Sequence, residues 1–138
     1  MRARRVAAMT AIAFLLQGGS LLILPQESLA AFGFEGGRGN ALVAQLLGAA
    51  LIGFGALNWS ARAMILGGPY GRPIVAANFT HAAIATMVLL RAVLDGIGGL
   101  LLVGSAGVWA LIAAAFASLL LGDPIDANRR RPPAGSSD

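Results

Sequence analysis

Residues 58–81 read NWSARAMILGGPYGRPIVAANFTH. The stretch closes one apolar run, turns through a Gly/Pro-rich segment and opens the next run. Gly68-Pro69 and Arg72-Pro73 are helix breakers, and Pro73 suits the first position of a new helix, where its missing N–H costs nothing. Most of the polar residues set inside apolar runs also fall here: Asn58, Arg62, Asn78, Thr80 and His81. Two apolar helices joined by this tight turn make an antiparallel hairpin.

Working outward, the run before the turn is residues 41–66. Its Gly48, Ala49, Gly53, Gly55 and Ala56 let another backbone approach closely, as helix interfaces in lipid require. Trp59 and Arg62 mark its lower end, because Trp favours the membrane interface and Arg extends its charged head toward it. The run after the turn covers residues 73–94. Arg91 and Asp95 stand four apart at its far end and form an interfacial anchor that can pair locally.

The very short connection 96–99 leads into a fourth run, residues 100–121. Ala106, Ala110, Ala114 and Ser118 recur at every fourth position there, a small-residue stripe for helix packing. Trp109 falls in mid-run and reads as a filler of the bundle core, with a ligand contact as the alternative.

Toward the N-terminus, Arg2, Arg4 and Arg5 precede an apolar run at residues 6–24. Its length is roughly the 20 residues a helix needs to cross a hydrocarbon core of about 30 Å. The rival reading is a secretory signal, for which Ser28-Leu29-Ala30 is a passable cleavage site. The run exceeds the roughly 7–15 apolar residues of such a signal, so the first span is expected to be retained. Residues 25–40, with Glu27, Glu35, Arg38 and several glycines, read as a loop. Leu29, Phe32 and Phe34 suggest that part of it lies on the membrane surface. Gly36-Gly37-Arg38-Gly39 lacks the lysine and strand context of a phosphate loop. The tail 122–138 ends in NRRRPPAGSSD and is expected to be disordered.

Composition agrees with four spans. The 138 residues are enough for one domain. They are 57% hydrophobic and only 12% charged, about half the charged share of an ordinary globular chain. Mean hydropathy is +0.77. A soluble protein of this size needs a polar shell that this chain lacks. All the basic residues are Arg, giving a net charge of +4. They sit at the ends of apolar runs, which fits anchoring at a membrane and argues against a nucleic-acid partner. The expected fold is all-α: a four-span transmembrane helix bundle over residues 1–121, followed by a basic cytoplasmic tail.

Orientation follows from the positive-inside rule. Arg2, Arg4 and Arg5, then Arg62 and Arg72, then Arg129, Arg130 and Arg131 share one side of a four-span chain. The other side holds Glu27, Glu35, Arg38, Arg91 and Asp95, with no Arg excess. Both termini are therefore expected in the cytoplasm, with the bundle in a bacterial inner membrane. Short connections after the second and third spans make spans two, three and four sequential antiparallel neighbours.

Little in the sequence points to a reaction. There is no Cys and a single His. A thiol relay, a disulfide framework and a protein-only zinc site are thereby excluded or disfavoured within one chain. No Ser/His/Asp motif is visible, no carboxylate lies deep in a span, and no catalytic residue, metal ligand or cofactor is assigned. The candidate polar pocket is Asn58, Arg62, Asn78 and His81. Polar groups inside spans mark a site by default, although they also serve as hydrogen-bonding glue between helices. Counting from a turn bracketed by Leu66 and Pro73 puts Asn58 and His81 level, so the two are expected to face each other or a shared pocket.

Residues 53–59, 67–73 and Asn78 with His81 carry a resemblance. They resemble the GFxxLNW-like, GGxYGRP and Asn-x-x-His segments of an uncharacterised family of small four-helix bacterial membrane proteins near the DoxX-like group. The likeness covers most of residues 6–94 and is weaker in the fourth span. It implies the fold and the location, and no activity.

The first functional expectation is a small membrane protein that binds an apolar molecule, lipid or quinone in its inner half. The second is a structural or accessory subunit, with a membrane-protein partner or a homo-oligomer beside the lipid bilayer. An enzyme or transporter is the third.

Overall fold

The computed structural model describes residues 2–62 and 71–121. It contains α1 (Arg2–Ile23), α2 (Pro25–Ala31), α3 (Arg38–Ala61), α4 (Gly71–Leu94) and α5 (Leu100–Leu121), with no strand among the described residues. All but α2 are long and apolar enough to cross a membrane. Helices are the form that lets such segments satisfy their backbone groups internally in lipid. The chain is an all-α, integral-membrane bundle of four long helices.

Each long helix buries one narrow seam. On α3 it is Ala41, Ala44, Gly48, Leu51, Gly55, Asn58 and Ala61, and on α4 it is Gly71, Val75, Asn78 and Ala82. Steps of three and four residues are the seam of a left-handed bundle. The opposite faces expose large apolar side chains, from Leu46 at 64% to Leu111 at 72%. Lipid tails are as apolar as these side chains, so the bilayer covers that surface without cost.

The closest packing is α1 along α3 and α4 along α5. A Cβ at Gly18 would lie 2.7 Å from the Gly48 carbonyl oxygen, and one at Gly48 would lie 2.7 Å from that of Gly18. Only glycine permits this approach. The expectation that the second and third spans lie side by side along their length is corrected: α3 and α4 touch only sparsely. Between them the rings of Phe54 and His81 stack at 4.8 Å and act as a spacer. Two hairpins therefore meet face to face.

Several boundaries also shift. Residues 25–40 are not all loop, because Pro25 opens α2 at a position that spares its missing N–H. Gly33, at φ +81°, closes α2. There the Phe34 N–H donates to the Leu29 carbonyl and the Gly33 N–H to that of Ala30. Gly96, at φ +75°, ends α4 in the same way. The second long helix begins at Arg38 rather than at 41. The third already includes Gly71 and Arg72, ahead of the start expected at Pro73.

The small-residue stripe on α5 is corrected as well. Ala106 is buried, but Ala110, Ala114 and Ser118 face outward, and the seam is completed by Leu102, Trp109 and Phe116. Steps of four drift about 40° each around a helix of 3.6 residues per turn, so the stripe leaves the seam within three steps. The end of the second span, most of the GGPYGR turn and the basic tail expected to be disordered lie outside the described residues.

The core has two stacked parts. One end packs Ala3, Ala7, Ala61, Val75 and Phe116. The same end carries Arg4, Arg5, Arg62 and Arg72, by the positions of these residues on their helices. The other part gathers Phe14, Leu21, Leu51, Ala82 and Trp109.

Candidate functional site

The four polar residues that flank the turn are divided among three places. Asn58 and Asn78 are both fully buried and face each other across the α3–α4 seam. The Asn58 Nδ2 donates to the Asn78 Oδ1 at 2.7 Å, and the Asn78 Nδ2 returns a bond to the Asn58 Oδ1 at 2.9 Å. The Asn78 Nδ2 also donates to the Ile74 carbonyl at 2.9 Å. Each amide has one acceptor and two donors, and this reciprocal pairing satisfies much of that capacity away from water.

Arg62 turns the other way. Its guanidinium carbon stands 4.0 Å from the centroid of the Trp59 ring, and its Nη1 donates to the Trp59 carbonyl. Trp59 is 45% exposed, so the pair sits at the rim of the bundle as a cation–π contact, not in a pocket.

His81 does not meet Asn58, which corrects the expected pairing. Asn58 is level with Asn78, three residues short of His81 and nearly a full turn away. The count from Leu66 and Pro73 missed this because α4 starts before Pro73. His81 is instead caged by aromatic rings. It stacks on Phe54 at 4.8 Å and meets Phe14 and Trp109 edge-on, with centroids 6.0 and 5.1 Å away. Its Nε2 is the buried side-chain atom without a hydrogen-bond partner among the described residues. A buried polar atom left unpaired is costly, more so in lipid.

His81 also lines a cavity of about 550 Å³, within the roughly 300–1,000 Å³ of small-molecule sites. The cavity lies in the half of the bundle away from Arg4, Arg5, Arg62 and Arg72. Of the four residues singled out in the sequence, His81 lines it and Asn58, Arg62 and Asn78 do not, so the site expected in the inner, Arg-rich half is corrected to the opposite half. Leu21, Leu51, Leu89, Leu102 and Trp109 form its walls, and Phe32 and Phe34 beyond α2 cover its outer end. Trp109 is thus both core filler and cavity wall, at 6% exposure.

The cavity opens sideways between α3 and α4. Val43 and Leu47 on α3 and Ile84 and Val88 on α4 line it, and all are 47–66% exposed on the surface that meets lipid. The gap exists because the hairpins are held apart by the Phe54–His81 stack. Below that stack the Asn58–Asn78 pair draws them together.

Gln17, Asn40 and Ser105 are the other polar side chains on the lining. Sequence reasoning passed over them. Gln17 is visible as a polar break in the first span, whereas nothing in the sequence marks Ser105. Arg91 and Asp95 form the expected local pair, Nε to Oδ2 at 3.7 Å, exposed at the outer end and clear of the cavity. No cluster of His, Cys, Asp or Glu able to hold a metal occurs among the described residues. No protein-family model, curated protein or solved structure matches the chain.

Proposed function

We propose that this protein resides in a bacterial inner membrane with both termini in the cytoplasm, and that it binds a lipophilic small molecule, lipid or quinone in its lateral cavity. The observation that carries this reading is the apolar cavity of about 550 Å³ with a side opening between α3 and α4. A molecule dissolved in the bilayer reaches such a site without crossing water. The orientation rests on the Arg-rich end of the bundle, by the positive-inside rule. Kinship with the DoxX-like group is proposed on the motif residues, of which Asn58, Asn78 and His81 stand between the hairpins.

The test is native mass spectrometry after extraction in mild detergent. The expected result is an adduct of small-molecule mass, extractable into organic solvent. It is lost in Ala85→Phe, which fills the cavity, while the unfolding temperature holds. A bare chain mass in both proteins overturns the reading.

A second reading, an accessory subunit, is favoured by the outward small residues Ala110, Ala114 and Ser118 on α5, a face that admits a close helix neighbour. A protein partner or a second copy in the same spectra, lost on Ala114→Leu, supports it.

A further inference from the structure

Resting on the reading above, we infer that the cavity selects an uncharged lipophile that carries a hydrogen-bonding oxygen, held with that oxygen toward His81 at the inner end. The argument begins with what apolar walls cannot do. Inside a bilayer, moving a hydrocarbon chain from lipid to a protein cavity changes its surroundings little, since both are apolar. Leu and Val walls therefore admit every chain in the membrane and choose none. Selection has to come from the polar atoms that a lipid tail leaves unpaired.

Those atoms are few: Asn40, at the outer end, already donates to the Glu35 carbonyl, and the others lie within about a turn of one another. His81 stands at the inner end, about 20 Å from the outer end of α4 at roughly 1.5 Å per residue. Gln17 comes one turn outward of Phe14 on α1, and Ser105 one turn outward of Trp109 on α5. Phe14 and Trp109 are the rings against His81. Gln17 and Ser105 therefore border the cavity about a turn above the caged imidazole. An oxygen placed at that depth takes hydrogen bonds from the amide or hydroxyl. With a turn of the ring, it also gives the His81 Nε2 the partner it lacks.

Charge is excluded by the same lining. No Asp, Glu or Arg lines the cavity among the described residues. A phosphate, carboxylate or ammonium brought to this depth loses its hydration and meets no fixed counter-charge. The class that fits is a neutral carbonyl or hydroxyl on a long apolar body, entering head-first through the gap between α3 and α4.

The experiment uses the full chain in phosphatidylcholine vesicles. Trp59→Phe, away from the cavity, leaves Trp109 as the one tryptophan of the chain. A decyl-substituted benzoquinone is titrated as the quencher. Chain-matched competitors are 1-dodecanol, dodecane, dodecanesulfonate and dodecyltrimethylammonium. The expected result is saturable quenching of Trp109, reversed by dodecanol at a concentration at least tenfold below that of the other three. His81→Phe keeps the ring cage and is expected to raise the half-quenching concentration at least tenfold. If that variant does not fold, the competitor series decides alone.

Dodecane competing as well as dodecanol overturns this inference and leaves the lipophile site standing, as does a charged competitor that wins. Quenching that rises linearly and answers to no competitor removes the site itself, and with it the function proposed above.

Discussion

Asn58 and Asn78 show how a polar residue in a span chooses between structure and chemistry. Their two reciprocal bonds turn each amide onto the other, and neither side chain lines the cavity. Side-chain hydrogen bonds between membrane helices average about 0.6 kcal/mol and reach about 1.7. A buried two-bond pair belongs at the upper end of that range. In a double-mutant cycle of Asn58→Ala and Asn78→Ala, the coupling is expected at about 1–2 kcal/mol, because contacting residues fail to add. Unfolding in mixed detergent measures it. The Asn58→Ala and His81→Phe cycle is expected to couple less than half as strongly. Equal or greater coupling there would restore the pairing read from the turn. His81 is the residue left for chemistry, since aromatic contacts fill its faces and edges but do not satisfy its Nε2.

Among the helices, glycine position matters more than glycine content. Gly48 and Gly53 lie on the same helix in similar sequence. A Cβ at Gly48 would press to 2.7 Å on the backbone of α1, whereas one at Gly53 meets nothing within 4 Å. Gly48→Ala is therefore expected to destabilise by roughly 1–3 kcal/mol, the usual cost of overpacking. Gly53→Ala is expected to be neutral or to stabilise by up to about 1 kcal/mol, through helix propensity. Thermal unfolding of the two variants side by side tests this, and equal losses would mean that α1 and α3 do not pack as described. The same contact explains why α1 belongs to the bundle, with Ala7, Ala11 and Phe14 at 0–1% exposure.

For the whole molecule, two tight hairpins meet along a loose seam. The seam is closed at the Arg-rich end by the Asn pair and the small residues around Ala61 and Val75. At the other end the aromatic cage and the cavity hold it open. The orientation in the membrane decides which leaflet supplies the ligand. Alkaline phosphatase, active only outside the cytoplasm, is expected to be active when fused after Gly36 and inactive when fused after Arg62. The opposite result would turn the cavity toward the cytoplasmic leaflet.

The four long helices were legible in the sequence alone. Their evidence is local: the length of each apolar run, the breakers at Gly68-Pro69 and Arg72-Pro73, and Arg at the run ends. Backbone in lipid has little alternative to the helix, so composition over about 20 residues is enough. Which side chains meet was not legible, because it depends on register and rotation. α4 already includes Gly71 and Arg72, ahead of Pro73, and Asn58 pairs with Asn78 instead of His81. The cavity is further still from the sequence. It draws on α1, α3, α4, α5 and the segment around α2, and it depends on Gly18 and Gly48 pulling one pair of helices together while Phe54 and His81 hold another pair apart. Such a void follows from packing between residues distant in the chain, and only the tertiary structure brings them to one place.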